Sequence, residues 1–185
     1  MPDPFNTGAL RTRVLDAWAA SPSRFREDAN AEEDYALGGY RDRVIVELAQ
    51  NAADAALRGG VPGRLRLTLR DGLLAALNDG APLDGAGVEA LSTLRASSKR
   101  GGTDGGTVGR FGVGFAAVVA VSENPRIRSA AGGVHWSRER TRGLAGSITA
   151  LAEEIDARSG HVPVLRLPFA DRRTDGQALP DGFAT

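Results

Sequence analysis

Hydrophobic residues recur with helical spacing in the first third of the chain. The clearest face, over about residues 8–20, carries Leu10, Val14, Leu15 and Trp18. Ser21-Pro22 interrupts this pattern, and a charged, alanine-containing stretch predicts a second helix over about 23–37. A third helix is predicted over about 40–58, because Gly59-Gly60 and Pro62 end the pattern there.

The next segment changes from helical spacing to strict alternation. Leu65, Leu67 and Leu69 alternate with polar residues over 64–70, which is typical of a strand buried on one face. Asp71-Gly72 is a hairpin turn signal, and the apolar run 73–77 is the expected partner strand.

The remaining pattern predicts more elements of both kinds. Asp84 is placed to cap a helix that carries Val88, Leu91 and Leu94. Strands are expected at 126–130, 133–137 and 162–168, and helical spacing recurs at Leu144, Ile148, Leu151 and Ile155. Without a repeat or linker, residues 1–185 are expected to form one domain. We expect a two-layer α/β (α+β) sandwich with helices on one face of a mostly antiparallel mixed sheet.

Composition narrows the function classes. The net charge is zero, so bulk charge gives no argument for nucleic-acid binding. There is no cysteine, which excludes thiolate chemistry. No apolar run approaches the roughly 18 residues of a membrane span, so a soluble, cytoplasmic protein without a membrane partner is expected. Lys99 is the only lysine, and it lies in a glycine-rich neighbourhood.

The third helix carries a polar stripe. At about 100° per residue, Glu47, Asn51 and Asp54 fall within an arc of about 60°. The positions beside that arc are apolar and are expected to pack into a core: Val44, Ile45, Leu48, Ala52 and Ala55. An ordinary amphipathic helix explains this segment by itself. The small side chains around the stripe also leave room for a ligand.

Two glycine-containing segments follow the helix. Residues 78–82, Asn-Asp-Gly-Ala-Pro, read either as a plain turn or as a short polar side chain presented to a purine edge. Residues 109–115, Gly-Arg-Phe-Gly-Val-Gly-Phe, precede an apolar helix candidate from Phe115 to Val121. Glycines before a helix let backbone N–H groups approach phosphate oxygens, although neither a Walker loop nor a Rossmann fingerprint is present.

Together and in this order, the three segments resemble the GHKL ATPase superfamily. That superfamily includes DNA gyrase B subunits, ninety-kilodalton heat-shock chaperones, histidine kinases and MutL. The resemblance covers about residues 40–121, and it is nearest in character to heat-shock-chaperone and sacsin-type domains. It rests on Glu-Leu-x-x-Asn-Ala-x-Asp-Ala, the Asn-Asp-Gly-x-Pro-Leu turn, Ala-Ser-Ser-Lys-Arg and Gly-Arg-Phe-Gly-Val-Gly-Phe.

The resemblance implies a Bergerat fold that binds ATP and Mg²⁺. Glu47 matches the general base that polarises the attacking water, and Asn51 matches the Mg²⁺ ligand. The implied ATP-contacting set is Asn51, Asp54, Ala55, Asn78, Asp79, Gly80, Leu83, Lys99, Gly109, Phe111, Gly112, Val113, Gly114, Phe115 and Thr185.

The resemblance also implies a lid and a longer chain. Residues 97–108 match the lid, with hinges at Gly101, Gly102, Gly105 and Gly106, and Lys99 or Arg100 is placed to reach phosphate. Thr185 corresponds to the threonine that opens the last strand of the family's sheet. The sequence is therefore expected to be the N-terminal part of a longer protein.

Two positions depart from the family pattern. With Gly80 as anchor, the adenine-binding aspartate falls on Asn78, and the second glycine falls on Pro82. An asparagine can accept a hydrogen bond from the adenine amino group, but without assistance from a charge. Asp79 is the alternative adenine reader.

The leading functional hypothesis is Mg-dependent ATP binding with slow hydrolysis coupled to lid closure, as in a chaperone-like module. Glu47 favours a hydrolysing branch over histidine kinases, and His135 and His161 read as ordinary strand or loop histidines, with Trp18 and Trp136 in the core. The alternatives are a nucleotide-sensing switch without useful hydrolysis and an interaction domain with a vestigial pocket. Expected partners are ATP or ADP, with client proteins or further domains of the same chain.

Overall fold

A computed structural model describes residues 3–37, 40–93 and 114–171. In these ranges the helices are α1 (Thr7–Ala20), α2 (Pro22–Leu37), α3 (Val44–Gly59), α4 (Gly85–Thr93), α5 (Arg138–Gly146) and α6 (Ala152–Ala157). The strands are β1 (Leu65–Arg70), β2 (Leu73–Asn78), β3 (Arg126–Ser129), β4 (Gly132–His135) and β5 (Phe169–Asp171). Short 3-10 helices cover Tyr40–Arg43, Gly114–Ala120, Thr149–Leu151 and Val164–Arg166.

The predicted helices of the N-terminal half are confirmed, with one change at the start of α3. Its first four expected residues form the 3-10 turn Tyr40–Arg43, and the α-helix begins at Val44. The helix ends at Gly59, and the next residue, Gly60, adopts a left-handed conformation with φ 62° that glycine accommodates readily. Asp84 caps α4 as predicted, since its Oδ1 accepts a hydrogen bond from the Gly87 N–H at 2.7 Å.

The predicted hairpin is confirmed in its pairing and its turn. β1 and β2 are antiparallel, with Leu65 opposite Asn78 and Arg70 opposite Leu73. Asp71 and Gly72 both have positive φ, at 50° and 75°. Positive φ at both central residues is typical of the type I′ turn, which joins the strands of a hairpin through a two-residue loop.

The predicted burial of β1 is wrong. Leu65, Leu67 and Leu69 are 36%, 38% and 72% exposed. Among the described residues, β1 and β2 pair only with each other and form a separate two-stranded sheet. Alternation determines which side chains share a face, and long-range packing decides whether that face is covered.

The second sheet has the order β3-β4-β5, with both pairs antiparallel. The strand expected at 162–168 is wrong, because Val164–Arg166 is a 3-10 helix and the strand begins at Phe169. Pro163 and Pro168 flank the 3-10 helix and have no N–H to give to a ladder. The segment's own N–H groups at Val164 and Leu165 donate to a carboxylate, that of Glu32.

The residues with helical spacing between 144 and 155 lie in three separate elements. α5 ends at Gly146, Ile148 is extended, and the chain then passes through a 3-10 turn into α6. The four predicted apolar residues still belong to one cluster, around Trp18 and Phe25. Their spacing therefore identified a shared core and not one continuous helix.

Two apolar clusters form the core. One contains Trp18 and Phe25, and the other contains Phe115 and Trp136. Both tryptophans are fully buried, as predicted. The described chain is thus a mixed α+β structure with two small antiparallel sheets, compatible with a two-layer α/β arrangement. None of its described helices is long and apolar enough to cross a membrane.

Candidate functional site

The polar stripe of α3 enters the protein as the helix proceeds. Glu47 and Asn51 are half-buried, whereas Asp54, one turn further on, is 1% exposed. On the neighbouring positions, the predicted burial holds for Val44, Ala52 and Ala55. It is wrong for Ile45, which is 42% exposed, and Leu48 is half-buried. Solvent can therefore reach the end of the stripe that carries Glu47 and Asn51.

The turn after β2 docks directly on α3. The Ala81 N–H donates to the Ala55 carbonyl at 2.8 Å, across two segments of the chain. Gly80 has φ 138°, and a Cβ there would lie 2.3 Å from the carbonyl carbon of Ala55. Only glycine permits this approach of one backbone to another. Asp54 and Ala55 are thereby brought beside Asp79 and Gly80.

The last two residues of the third predicted segment, Gly114 and Phe115, begin a helix that contacts α3. Residues Gly114–Ala120 form a 3-10 helix in place of the expected α-helix, and this helix packs against α3. Phe115 is 5% exposed, with its ring centroid 5.0 Å from that of Trp136. The Phe115 side chain is buried in the core, so a ligand would contact Phe115 through its backbone. Leu83 likewise packs against the cluster around Trp136.

Several predicted positions lie outside the described residues. They are the lid 97–108 with Lys99, Arg100 and its glycine hinges, and the positions Gly109, Phe111, Gly112, Val113 and Thr185.

Asn78 and Asp79 have different environments. Asn78 is exposed, and its Nδ2 donates to the Asp79 carbonyl at 3.2 Å. Asp79 is 8% exposed, and its Oδ2 accepts a hydrogen bond from Nε of Arg64. The other carboxylate oxygen, Oδ1, is buried and has no hydrogen-bond partner among the described residues. Leaving a buried acceptor without a donor costs about 1–3 kcal/mol.

A cleft of about 760 Å³ opens beside Asp79. Its walls include the side chains of Val61, Pro62, Ala81 and Pro82, with Arg64 and Asp79 as its charged groups. Small-molecule sites are typically clefts of roughly 300–1,000 Å³ with apolar walls and few polar groups. The cleft has that size and character.

No group of three or more histidine, aspartate or glutamate residues in the described ranges could hold a metal ion. Mg²⁺ is usually bound through one or two protein groups together with substrate phosphates and water. The half-buried amide of Asn51, with the carboxylate of Glu47 one turn away, fits a metal of that kind.

Two contacts made by buried carboxyl groups were not predicted from the sequence. Arg64 lies opposite Asp79, one position before the Leu65–Asn78 pair, so the hairpin register contained a signal for that ion pair. Glu32 is 1% exposed and accepts hydrogen bonds from the N–H groups of Val164 at 2.8 Å and Leu165 at 2.9 Å. Burial raises the pKa of Glu32 to about 7. Glu32 lies among other acidic residues in the α2 sequence, and that pattern predicts only a solvent-exposed face.

The two histidines lie at the edges of the core. Burial lowers the pKa of His135, whose ring centroid is 5.6 Å from that of Phe169. Burial also lowers the pKa of His161, which has Glu33 at 3.8 Å. Both therefore favour the neutral form, and their assignment as ordinary histidines stays a prediction.

Comparisons with known proteins give one partial similarity. No family model matches the chain, and no solved structure matches it. Over 104 residues the chain is 33% identical to "Protein NO VEIN" from Arabidopsis thaliana. The match covers 56% of this chain and 4% of that protein, so the chain spans a small part of the length of this curated relative.

Proposed function

We propose that this chain is an ATP-binding module of Bergerat type that binds Mg·ATP along α3 and hydrolyses it slowly. The observation that carries the proposal is the docking of the turn after β2 on α3, through the bond from Ala81 to Ala55 and the close approach of Gly80. The family resemblance, which rests on sequence motifs alone, assigns these two segments to one nucleotide site. Their direct contact supports that assignment.

Burial increases along the polar stripe of α3, and this gives the nucleotide a direction. Asp54 and Ala55 are buried, near the turn that carries Asp79. Glu47 and Asn51 lie in the half-buried part, nearer the start of the helix. In our proposal the base binds at the buried end and the phosphates extend towards Glu47.

Each residue on α3 then has a chemical task. Asn51 would hold the metal through its amide oxygen, and Mg²⁺ bound there would offset negative charge on the phosphates. Glu47 orients a water molecule and accepts its proton as the water oxygen bonds to the γ-phosphorus and the bond to ADP breaks. In the proposal, backbone N–H groups of the glycine-rich segment 109–115 stabilise the phosphate oxygens, and closure of the lid 97–108 excludes bulk water.

A second candidate is a nucleotide-sensing switch without useful hydrolysis. It is favoured by the environment of Asn78, which stands in place of the family's adenine-binding aspartate and is exposed. Pro82 also replaces a family glycine. An intact Glu47 and Asn51 oppose this candidate, because a pure switch does not need a general base.

Titration calorimetry with Mg·ATP tests the shared part of both candidates. The 185-residue chain should bind Mg·ATP, and binding should weaken when Mg²⁺ is chelated. Glu139→Gln, which changes an exposed glutamate on α5, is a control that should leave binding unchanged. A folded chain that does not bind Mg·ATP would eliminate both nucleotide functions and leave an interaction domain with a vestigial pocket.

A further inference from the structure

Three side chains lie in a row across the second sheet: Arg126, His135 and Phe169. Directly opposite residues of antiparallel strands place their side chains on the same face. Arg126 is exposed, His135 is half-buried and Phe169 is 2% exposed. The row therefore runs from solvent at β3 to the core at β5.

Two arginines from helices lie over the Phe169 ring. The Cζ atom of Arg11, on α1, is 4.7 Å from the ring centroid, and that of Arg140, on α5, is 3.9 Å from it. Nη1 of Arg140 also lies 3.3 Å from Nε2 of His135. The two guanidinium groups therefore reach the row at the same ring, beside the histidine.

Three of the arginines at this face have no acidic partner in the described part of the chain. Within residues 3–37, 40–93 and 114–171, Arg11, Arg126 and Arg140 form no salt bridge. Nη1 of Arg11 donates to uncharged acceptors, the Pro168 carbonyl at 2.6 Å and the Thr7 hydroxyl at 3.0 Å. The positive charges of these three arginines are thus left for a group from outside.

The carboxylates near this face are already engaged. Asp171 accepts a hydrogen bond from Nε of Arg128 at 2.7 Å, in the neighbouring row of the sheet, where Gly133 lies between them. Asp3, which attracts the charge of Arg11, accepts a hydrogen bond from the Thr7 hydroxyl at 2.7 Å. Four arginines and two carboxylates leave an excess of two positive charges.

This excess acts on the titratable groups of the face. Burial lowers the pKa of His135, and the charges of Arg140, Arg126 and Arg11 lower it further, against the opposite effect of Asp171. Burial and the charge of Arg140 also lower the pKa of Arg11. An anion bound here would offset the repulsion among these groups and would favour the protonated form of His135.

We propose that this face is a binding site for a dianionic phosphate group, held by Arg11, Arg126 and Arg140 beside His135. Guanidinium groups present planar forks of N–H donors that match phosphate oxygens. Arg126 and Arg140 are exposed, so a ligand in solution reaches them. A phosphate with two negative charges balances the excess of two positive charges, whereas a carboxylate or a phosphodiester brings only one.

The proposal is independent of the proposed nucleotide function, since none of its residues belongs to the nucleotide site. The shared chemistry is a phosphate dianion, either free or carried as a monoester on a larger molecule. Inorganic phosphate and phosphoserine are the probes for these two sources, and acetate is the control with a single charge.

NMR titration of the histidine rings measures binding at this face. The chain has only two histidines, so His135 reports on the site and His161 is an internal control. The probes are added at about pH 7.5, where a phosphomonoester is largely dianionic, and sodium chloride keeps the ionic strength constant. The His135 signals should shift to saturation with phosphate or phosphoserine. The bound anion should raise the pKa of His135 by about 0.5 or more and leave that of His161 unchanged.

Substitutions of exposed arginines test the assignment of residues. Arg126→Gln and Arg140→Gln should each weaken binding by about fivefold or more, because each removes a charged donor to phosphate. Arg140→Lys should retain part of the affinity, since it keeps the charge without the planar fork. Arg70→Gln changes an exposed arginine of the other sheet and should leave the affinity unchanged, as should Asn51→Ala at the nucleotide site.

The outcomes separate the proposal from a general effect of charge. Tighter binding of phosphoserine supports a phosphate carried on a larger molecule, and equal or tighter binding of inorganic phosphate supports the free anion. No saturable response of His135 in the folded wild type would overturn the site. The same holds if acetate binds as tightly as phosphate, or if Arg140→Gln and Arg70→Gln bind phosphate equally.

Discussion

The Ala81 N–H donates to the carbonyl of Ala55 at 2.8 Å, and this bond ties the turn after β2 to a buried residue of α3. The bond places Gly80 against the helix backbone, where no side chain fits. A single backbone hydrogen bond therefore joins two segments that are 26 positions apart in the sequence.

Gly80→Ala should destabilise the fold strongly. Its new Cβ would lie 2.4 Å from the Ala55 carbonyl oxygen at φ 138°, so steric overlap adds to backbone strain. We expect a loss of about 2–5 kcal/mol in the free energy of unfolding, measured with urea. Gly60→Ala is the control, because Gly60 has φ 62° but open space around it, and it should cost only about 1–2 kcal/mol. Equal losses in the two variants would argue against the close approach.

Asp79 should matter more for nucleotide affinity than Asn78. Asp79→Asn removes the charged acceptor and its charge pairing with Arg64, so Mg·ATP affinity should fall by about tenfold or more. Asn78→Ala removes an exposed amide and should change affinity by less than about threefold. Calorimetry on both variants decides between them, and the reverse order would return adenine recognition to Asn78.

The magnesium dependence of binding should reside in Asn51. In Asn51→Ala the affinity for ATP should become nearly the same with and without Mg²⁺, because the metal no longer has a protein ligand on α3. Gln50→Ala is the control, since Gln50 is a half-buried amide at the adjacent position of the helix and faces another direction. A full Mg²⁺ effect in Asn51→Ala would show that another group holds the metal.

Glu32 should make the fold less stable as the pH rises through the range between 4.5 and about 7. Burial raises its folded-state pKa from 4.5 to about 7, so in this window the folded chain binds more protons than the unfolded chain. Stability contributed by the neutral form is complete below pH 4.5 and is lost as the pH approaches and passes 7, by about 3 kcal/mol at most.

Urea unfolding at about pH 4.5, 6 and 7.5 measures this slope. Glu32→Gln should flatten it, because the amide does not titrate. Glu27→Gln, which changes an exposed residue on the same helix, should leave the slope unchanged. If the slope survives in Glu32→Gln, other groups cause it. The comparison uses the change with pH, since the amide introduced by Glu32→Gln cannot reproduce both hydrogen bonds to Val164 and Leu165 and will alter absolute stability.

Local signals predicted the elements that local physics controls. Three such features were predicted from the sequence: the turn at Asp71-Gly72, the cap at Asp84 and the end of α3 at its glycines. Each depends on a few adjacent residues. The contact of the turn after β2 with α3 joins residues 26 positions apart, and no local signal predicted it.

Contacts between distant parts of the chain could not be predicted from the sequence. The segment at 162–168 has a strand-like composition, but its N–H groups go to Glu32, which lies more than 130 positions earlier. Leu69 alternates as a buried strand residue does and is nevertheless 72% exposed, because no described element packs over it. The pairing of Arg64 with Asp79 lies between these cases, since it follows from hairpin register once the turn is known.

Single-turnover release of phosphate from Mg·ATP tests the central claim most directly. Wild type and Glu47→Gln are each mixed in excess over nucleotide, and calorimetry establishes that both bind it. The proposed general base predicts that Glu47→Gln retains binding and releases phosphate at least about 100-fold more slowly than the wild type. Equal release rates, or no release by a wild type that binds Mg·ATP tightly, would contradict hydrolysis at Glu47 and leave the nucleotide switch as the function.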